Sequence, residues 1–179
     1  MKTIVVPAKE QVSADAQVIL EQIQKKMGKV PNLFATIGYS AEALKGLLGF
    51  EAAFSHTAFT DKEKEAINLV VSQVNSCDYC LAAHTMLATM KGFSKEDTFQ
   101  FRKGHANDAK LDSVVQLAKA IAKNKGNVSD QVKENFFDAG YDEKALIDLI
   151  GIVTVRTFTN YVYAATKIPI DFPAAETLN

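Results

Sequence analysis

Apolar residues recur at helical spacing along nearly the whole chain. After Thr60, for example, a stripe of apolar positions is formed by Ile67, Val70, Val71 and Val74. This spacing places one apolar face along a helix that packs on a core. The segment 142–166 is rich in β-branched residues but is too long for an ordinary strand. Elsewhere no run of the sequence alternates cleanly with the period of two that a half-buried strand shows. The pattern therefore predicts an all-α fold.

Capping residues, glycines and prolines divide this pattern into separate helices. Thr60 with Glu63 has the S/T-x-x-E form of a capping box. Ser94 with Asp97 is an acidic variant of the same motif. Further caps are predicted at Ser13, at Ser40 and at either Asn75 or Ser76. The predicted helices cover about 13–26, 41–56, 60–75, 76–90, 94–103, 109–123, 129–139 and 142–166, with one or two turns at 31–37.

The longest apolar stretch covers 146–165, near the end of the chain. Asp148 and Arg156 interrupt it, whereas a membrane span needs roughly 20 mostly apolar, uncharged residues. We therefore predict a buried or interfacial helix. Arg156 and Asn160 stand four apart on it, so each needs a polar partner. We expect these partners at a subunit interface or at the rim of a pocket.

Length and charge narrow the class of protein. The 179 residues suit a single domain spanning 1–179. With 47% hydrophobic residues the chain is too apolar for disorder, and its net charge of −1 argues against nucleic acid or an anionic membrane as partner. The N-terminus lacks the apolar run of a signal peptide, so a cytoplasmic location is expected. Segments 66–70 and 146–150 resemble each other, which would fit a degenerate two-repeat arrangement whose second copy lost its chemistry.

The two cysteines of the chain stand three apart, and a histidine follows four residues later. Cys77, Cys80 and His84 therefore share one helical stripe. An imidazole beside a thiol can take its proton, and a helix N-terminus also favours the reactive thiolate. A thiolate with a second thiol within reach can be oxidised to a sulfenic acid and then resolved as a disulfide.

Other uses of a C-x-x-C pair are weighed against this redox chemistry. A c-type haem needs histidine directly after the second cysteine, where this chain has Leu81. A thioredoxin-type site needs a βαβ setting that a helical sequence lacks. Two cysteines, one histidine and a carboxylate could hold zinc, although three ligands on one helix seldom surround a tetrahedral ion. The residues thus favour redox chemistry, with zinc binding and inert core cysteines as alternatives.

The spacing of four residues resembles a known family. Glu65, eleven further residues, then Cys77, Cys80 and His84 match the E-x11-C-x2-C-x3-H signature of the AhpD-like alkylhydroperoxidases, within the carboxymuconolactone decarboxylase superfamily. The likeness is clearest over about 32–92 and looks closest to the branch called peroxidase-related proteins. It implies an AhpD-like helical domain that reduces organic hydroperoxides through a dithiol–disulfide cycle. It also implies that no metal, haem or other cofactor takes part.

The resemblance assigns a role to each matching residue. Cys80 would be the peroxidatic cysteine, and Cys77 the resolving cysteine that closes a Cys77–Cys80 disulfide. His84 would relay a proton, and Glu65 from the preceding helix would complete the relay. The AhpD prototype has a second histidine where this chain has Tyr79. We expect Tyr79 to act as a weaker proton donor or to line the substrate pocket.

Helical projection and motif spacing disagree about Glu65. Projection turns it away from the Ile67 stripe, which alone predicts an exposed carboxylate. The motif spacing instead places Glu65 in the relay. Phe54, Phe59 and Leu87 either line a pocket or belong to the core, and His56 and His105 are expected at the surface.

The resemblance also implies partners. These are a hydroperoxide substrate, an external thiol reductant of lipoyl or thioredoxin type, and further copies of the chain in a homo-oligomer, either a trimer or a hexamer. Two rival functions remain at this point. One is a dithiol oxidoreductase or redox sensor that acts on protein disulfides, and the other is a non-catalytic helical metal-binding protein.

Overall fold

The computed structural model describes residues 3–178. It is 70% helical and has no strands over that range, which confirms the predicted all-α fold. The helices are α1 (Ala14–Met27), α2 (Asn32–Ile37), α3 (Ala41–Ala53), α4 (Asp61–Val74), α5 (Asp78–Met90), α6 (Lys95–Lys103), α7 (Ala109–Lys123), α8 (Asp130–Asp138) and α9 (Glu143–Thr166).

Helix α4 is the centre of the packing. It contacts α5, α6, α7 and α9, and every residue over 65–72 is buried. A helix on the surface of a domain would bury only one face. Since α4 is covered on all sides, even the polar positions outside its apolar stripe, Glu65 among them, lie in the interior.

The buried apolar residues form two cores. One joins α4 to α5, α6, α7, α8 and the first half of α9. The other joins α1, α2 and α3 to the start of α5 and to the second half of α9, and it contains both cysteines. The cysteine pair is thus built into a core and not onto the surface.

Helix α9 is long and apolar enough to cross a membrane by length and composition alone. Here it packs against α2, α3, α4, α5 and α7. Asn160 is fully buried, donates to Oγ of Ser72 at 3.3 Å and accepts from Nδ2 of Asn75 at 2.9 Å. The partners that the sequence required for Asn160 therefore lie on α4 and the residue after it, within the same chain.

Most of the predicted caps are observed. Ser13 and Ser40 accept from the backbone amides three residues ahead, and Thr60 with Glu63 forms the predicted capping box. Ser94 with Asp97 forms the other box. Helix α3 is shorter than predicted, because it ends at Ala53 and continues only as a short 3₁₀ turn over 54–56.

The prediction that Asn75 or Ser76 caps α5 is wrong, because both residues are used to end α4. Ser76 takes the left-handed conformation with φ of 52°. Its amide donates to the carbonyl of Gln73 at 3.2 Å, and the amide of Cys77 donates to that of Ser72 at 2.9 Å. These two bonds form a Schellman motif at the C-terminus of α4. Cys77 is therefore the N-cap residue of α5, and its Sγ accepts a hydrogen bond from the amide of Cys80 at 3.2 Å.

The substitution Ser76→Gly should stabilise the fold by about 0.5–1 kcal/mol, because glycine adopts the left-handed conformation without the steric cost that serine has. Urea unfolding monitored by circular dichroism measures the change. Ser129→Gly is the matched control, since Ser129 is exposed, has φ of −65° and makes no capping hydrogen bond through its side chain. An equal or greater gain in the control would contradict the explanation.

Candidate active site

The two cysteines form a disulfide at the N-terminus of α5, and they differ in what they face. Cys77 is fully buried, and Cys80 has an exposed fraction of 2%. Cys80 lines a pocket, whereas Cys77 does not. A molecule in the pocket is therefore next to Cys80 and not to Cys77.

The pocket is mostly apolar and has a volume of about 610 Å³. It lies between the ends of α1 and α3, the helices α2, α4, α5 and α9, and the segment that follows α9. Its apolar wall includes Leu33, Phe34, Leu48, Phe54, Leu87 and Phe172. Phe54 and Leu87 thus line the pocket, whereas Phe59 belongs to the core around α4. Such a pocket suits the apolar part of an organic ligand.

Glu65 lies in the interior with an exposed fraction of 4%. The exposure predicted by helical projection is therefore wrong, because α5 and α9 cover the side of α4 that projection assigned to solvent. Oε2 of Glu65 lies 2.7 Å from Nδ1 of His84, and Oε1 lies 2.6 Å from Nζ of Lys91. The motif spacing thus brings Glu65 and His84 into direct contact.

Burial and charge set the protonation of this cluster. Burial raises the pKa of the Glu65 carboxyl, but contacts with His84 and Lys91 outweigh burial and lower that pKa to about 2. Burial lowers the pKa of His84, and the charge of Arg156 lowers it further against the opposing pull of Glu65. The imidazole is therefore neutral near pH 7, and Lys91 is the cationic partner of the Glu65 carboxylate.

The contact with Glu65 fixes which nitrogen of His84 carries the proton. An ionised carboxylate only accepts hydrogen bonds, so Nδ1 of His84 donates to it. A neutral imidazole has one N–H group, which leaves a free lone pair on Nε2. His84 lines the same pocket as Cys80 and lies one turn further along α5. The site thus holds a base and a cysteine sulfur on one wall.

Arg156 lies at the pocket and is mostly buried, as the rim position predicted from the sequence requires. Its Nε donates to Oδ1 of Asn68 at 3.1 Å, and its Nη1 donates to Oγ1 of Thr159 at 3.2 Å. Nη2 lies 3.5 Å from Oε1 of Glu51. Nδ2 of Asn68 donates in turn to Oε2 of Glu65 at 3.5 Å. Arg156 is therefore connected to the Glu65–His84 pair through Asn68.

Both hydrogen bonds of the Tyr79 hydroxyl are made away from the cysteines. The hydroxyl donates to Oδ1 of Asp171 at 2.5 Å and accepts from the amide of Leu33 at 3.1 Å. Burial and the Asp171 carboxylate raise the pKa of Tyr79 well above its ordinary value. The ring of Tyr79 lines the pocket, 5.6 Å from the ring of Phe172. Of the two roles expected from the sequence, these contacts favour pocket lining.

The segment after α9 completes one side of the pocket. Nζ of Lys29 donates to the carbonyl of Asp171 at 2.7 Å and lies 4.1 Å from the ring centroid of Phe172. The side chain of Asp171 also accepts from the amide of Asn32 at the start of α2. These contacts hold Phe172 against the pocket.

Several residues of this site were not found from the sequence. Lys91 stands seven residues after His84, and Asn68 stands three after Glu65, so each shares a helical face with a motif residue. That spacing is the signal that could have identified them. Asp171 and Phe172 carry no such signal, because they lie in a segment without regular structure. His56 and His105 are exposed, as predicted.

No group of three or more His, Cys, Asp and Glu side chains within residues 3–178 is arranged to hold a metal ion. Glu65, His84, Cys77 and Cys80 instead form one hydrogen-bonded pair and one disulfide. The zinc-binding alternative therefore gains no support from this arrangement.

Comparison with known proteins places the motif inside a described family. Residues 41–122 match the model of the carboxymuconolactone decarboxylase family, and this range includes all four motif residues. No curated protein sequence matches the chain significantly. The resemblance predicted from the sequence is confirmed by the family match together with similar solved structures.

The similar structures cover nearly the whole chain at low identity. An uncharacterized peroxidase-related protein from Silicibacter sp. TM1040 is 21% identical, with a TM-score of 0.79 over 92% of this chain and 88% of its own. A second structure is an alkylhydroperoxidase AhpD core, an uncharacterized peroxidase-related protein from Ralstonia eutropha JMP134. It is 19% identical, with a TM-score of 0.82 over 93% of this chain and 90% of its own. A third is the debrominase Bmp8, as a cysteine-to-alanine variant in complex with 2,3,4-tribromopyrrole, which is 17% identical, with a TM-score of 0.79 over 96% of this chain and 93% of its own. These likenesses show a shared fold.

The buried Glu65 carboxylate should make stability depend on pH. Its pKa is about 2 in the folded protein and near 4.5 when unfolded, so its contribution is complete above about pH 4.5 and is lost as the pH falls toward 2. The lost part should be about 3 kcal/mol at most. Urea unfolding at several pH values gives the free energies of unfolding of wild type and of Glu65→Gln. The difference between the two should become smaller as the pH is lowered. Glu134→Gln, at an exposed position, is the control and should show no such change.

Proposed function

We propose that the chain, whose residues 41–122 match the model of the carboxymuconolactone decarboxylase family, is a thiol-dependent peroxidase that reduces organic hydroperoxides through Cys77 and Cys80. The observation that carries this proposal is the unequal placement of the cysteines. Cys80 faces an apolar pocket beside the Glu65–His84 pair, and Cys77 is buried behind it within disulfide distance.

In the first step, Nε2 of His84 accepts the proton of the Cys80 thiol. The thiolate attacks the terminal oxygen of the hydroperoxide and the O–O bond breaks. Cys80 becomes a sulfenic acid, and the alkoxide leaves as an alcohol after it takes the proton back from His84. The N-terminus of α5, where Cys80 lies in the first turn, favours the thiolate in this step.

In the second step, the sulfur of Cys77 attacks the sulfur of the Cys80 sulfenic acid. The S–S bond forms and water leaves, with the Cys77 proton going to the departing hydroxide. An external dithiol then reduces the disulfide with two electrons and two protons. Over the whole cycle, hydroperoxide and dithiol give alcohol, water and the oxidised dithiol.

The rival role as an oxidoreductase for protein disulfides fits the geometry less well. An enzyme that acts on protein disulfides needs no apolar pocket for a small molecule, whereas Cys80 lines such a pocket beside His84. A slender organic hydroperoxide can enter the pocket. The decarboxylase reaction that names the family gives no role to a cysteine pair.

We further propose that the peroxidase acts in the cytoplasm, where a lipoyl or thioredoxin-type reductant returns the disulfide to the dithiol.

The decisive test compares Cys80→Ser with Cys77→Ser in the consumption of cumene hydroperoxide. We expect wild type to turn over with a lipoyl or thioredoxin-type reductant, and Cys80→Ser to lose at least about 100-fold of the rate, since the nucleophile is absent. Cys77→Ser should consume one equivalent and stop at a sulfenic acid that dimedone traps. Unchanged turnover in Cys80→Ser would refute the proposal, as would fast exchange with protein disulfides together with sluggish oxidation by the hydroperoxide.

We also propose that copies of the chain associate through the outer face of α9. Ile147, Ile150, Phe158 and Tyr161 are exposed along this face, with Ile147 at 64% and Tyr161 at 58%. An apolar stripe of this kind is typical of a protein interface, and the family resemblance implies a trimer or hexamer.

Replacing both Ile147 and Phe158 by Asp should dissociate such an oligomer, because two charges would be buried at the interface. Light scattering coupled to size-exclusion chromatography measures the mass. The matched control replaces Met90, which is 75% exposed at the end of α5, by Asp and should leave the mass unchanged. A monomeric wild type would refute the interface.

A further inference from the structure

Lys91 connects the end of α5 to the start of α4 through the buried relay. It follows α5 directly, and its Nζ lies 2.6 Å from Oε1 of Glu65 and donates to the backbone carbonyl of Asp61 at 2.9 Å. Its side chain is about one-third exposed, whereas that of Glu65 is almost fully buried. Lys91 therefore brings a charge that stays partly solvated to the inner carboxylate.

We propose that Lys91 is a positioning residue of the relay: by pairing with one oxygen of Glu65, it keeps the carboxylate free to accept from Nδ1 of His84, so that Nε2 remains the base for Cys80. The use of that base rests on the proposed function. The protonation state of His84 can be measured without any hydroperoxide, so the two proposals can fail separately.

The need for Lys91 follows from the cost of a buried charge. A carboxylate that is removed from water is stable only when it is paired or protonated. Without Lys91, the Glu65–His84 pair would take up one proton to neutralise itself. If His84 holds that proton, both ring nitrogens are occupied. If Glu65 holds it, the carboxyl donates to Nδ1 and the ring proton moves to Nε2. Either result removes the free lone pair at Nε2.

The other charged groups around the relay do not replace Lys91. Arg156 on α9 faces Glu51 on α3 and reaches Glu65 only through Asn68. On α4, the side chain of Asp61 pairs with that of Lys64 at 3.2 Å. Among the described cationic side chains, apart from the His84 imidazole, Lys91 is the one that contacts an oxygen of Glu65.

The test is a titration of His84 by long-range ¹H–¹⁵N spectroscopy of the disulfide form, in which no thiolate competes. The chain has only three histidines, and exposed His56 and His105 are internal references. In wild type at pH 7.5, we expect the neutral Nδ1–H form of His84. In Lys91→Met, its apparent pKa should rise by about 1–3 pH units, the size of a lost close charge partner. Lys91→Arg should restore wild-type behaviour.

Lys62→Met is the matched control, because Lys62 reaches the carbonyl of Gly92 nearby but does not contact Glu65. It should leave the titration of His84 unchanged. If Lys91→Met does not fold, Lys91→Gln answers the same question, since glutamine keeps a hydrogen-bond donor but not the charge. An Nδ1–H ring and an unshifted pKa in a folded Lys91→Met or Lys91→Gln variant would overturn the proposal, and so would an equal shift in Lys62→Met.

Discussion

The buried carboxylate of Glu65 is the constraint on which the site depends. An unpaired charge in the interior costs several kcal/mol, so its partners must be in place when the fold forms. Lys91 at the end of α5 and His84 in its middle each take one oxygen of Glu65, and both contacts fix α5 against α4. The contacts that compensate the charge of Glu65 therefore also hold α5, which carries Cys80, in position. The same two helices, α4 and α5, provide both this packing contact and the residues of the candidate site.

The way α4 ends gives the two cysteines their unequal placement. The Schellman motif uses the amides of Ser76 and Cys77, so α5 begins at Asp78 and Cys77 becomes its cap. Cys77 is fully buried at this junction between α4 and α5. Cys80, one turn later, lies at the pocket. The same backbone turn thus separates a buried cysteine from one that lines the pocket, and these are the positions that the proposed resolving and peroxidatic roles require.

The sequence predicted local features better than features that arise from assembly. The caps at Ser40 and Thr60 depend on neighbours within a few residues, and both are observed. Burial of Glu65 depends on how many helices surround α4, which the pattern of one helix does not contain. The motif predicted the position of Glu65 correctly, because Glu65 and His84 are both motif residues and contact each other in the fold. The Phe172 wall is held by contacts to Lys29 and Tyr79, which lie far away in sequence and give no local signal.

A tyrosine at the position before the second cysteine changes how proton transfer must be organised. Because the hydroxyl of Tyr79 is committed to Asp171 and Leu33, it supports the pocket wall and does not reach toward the sulfurs. In the proposed mechanism, proton transfer at Cys80 then depends on His84 alone. A single base must be neutral before the thiol reacts and protonated when the alkoxide leaves. The pairing of Glu65 with Lys91 meets the first requirement, and direct contact between Glu65 and Nδ1 meets the second, because the carboxylate stabilises the imidazolium that forms.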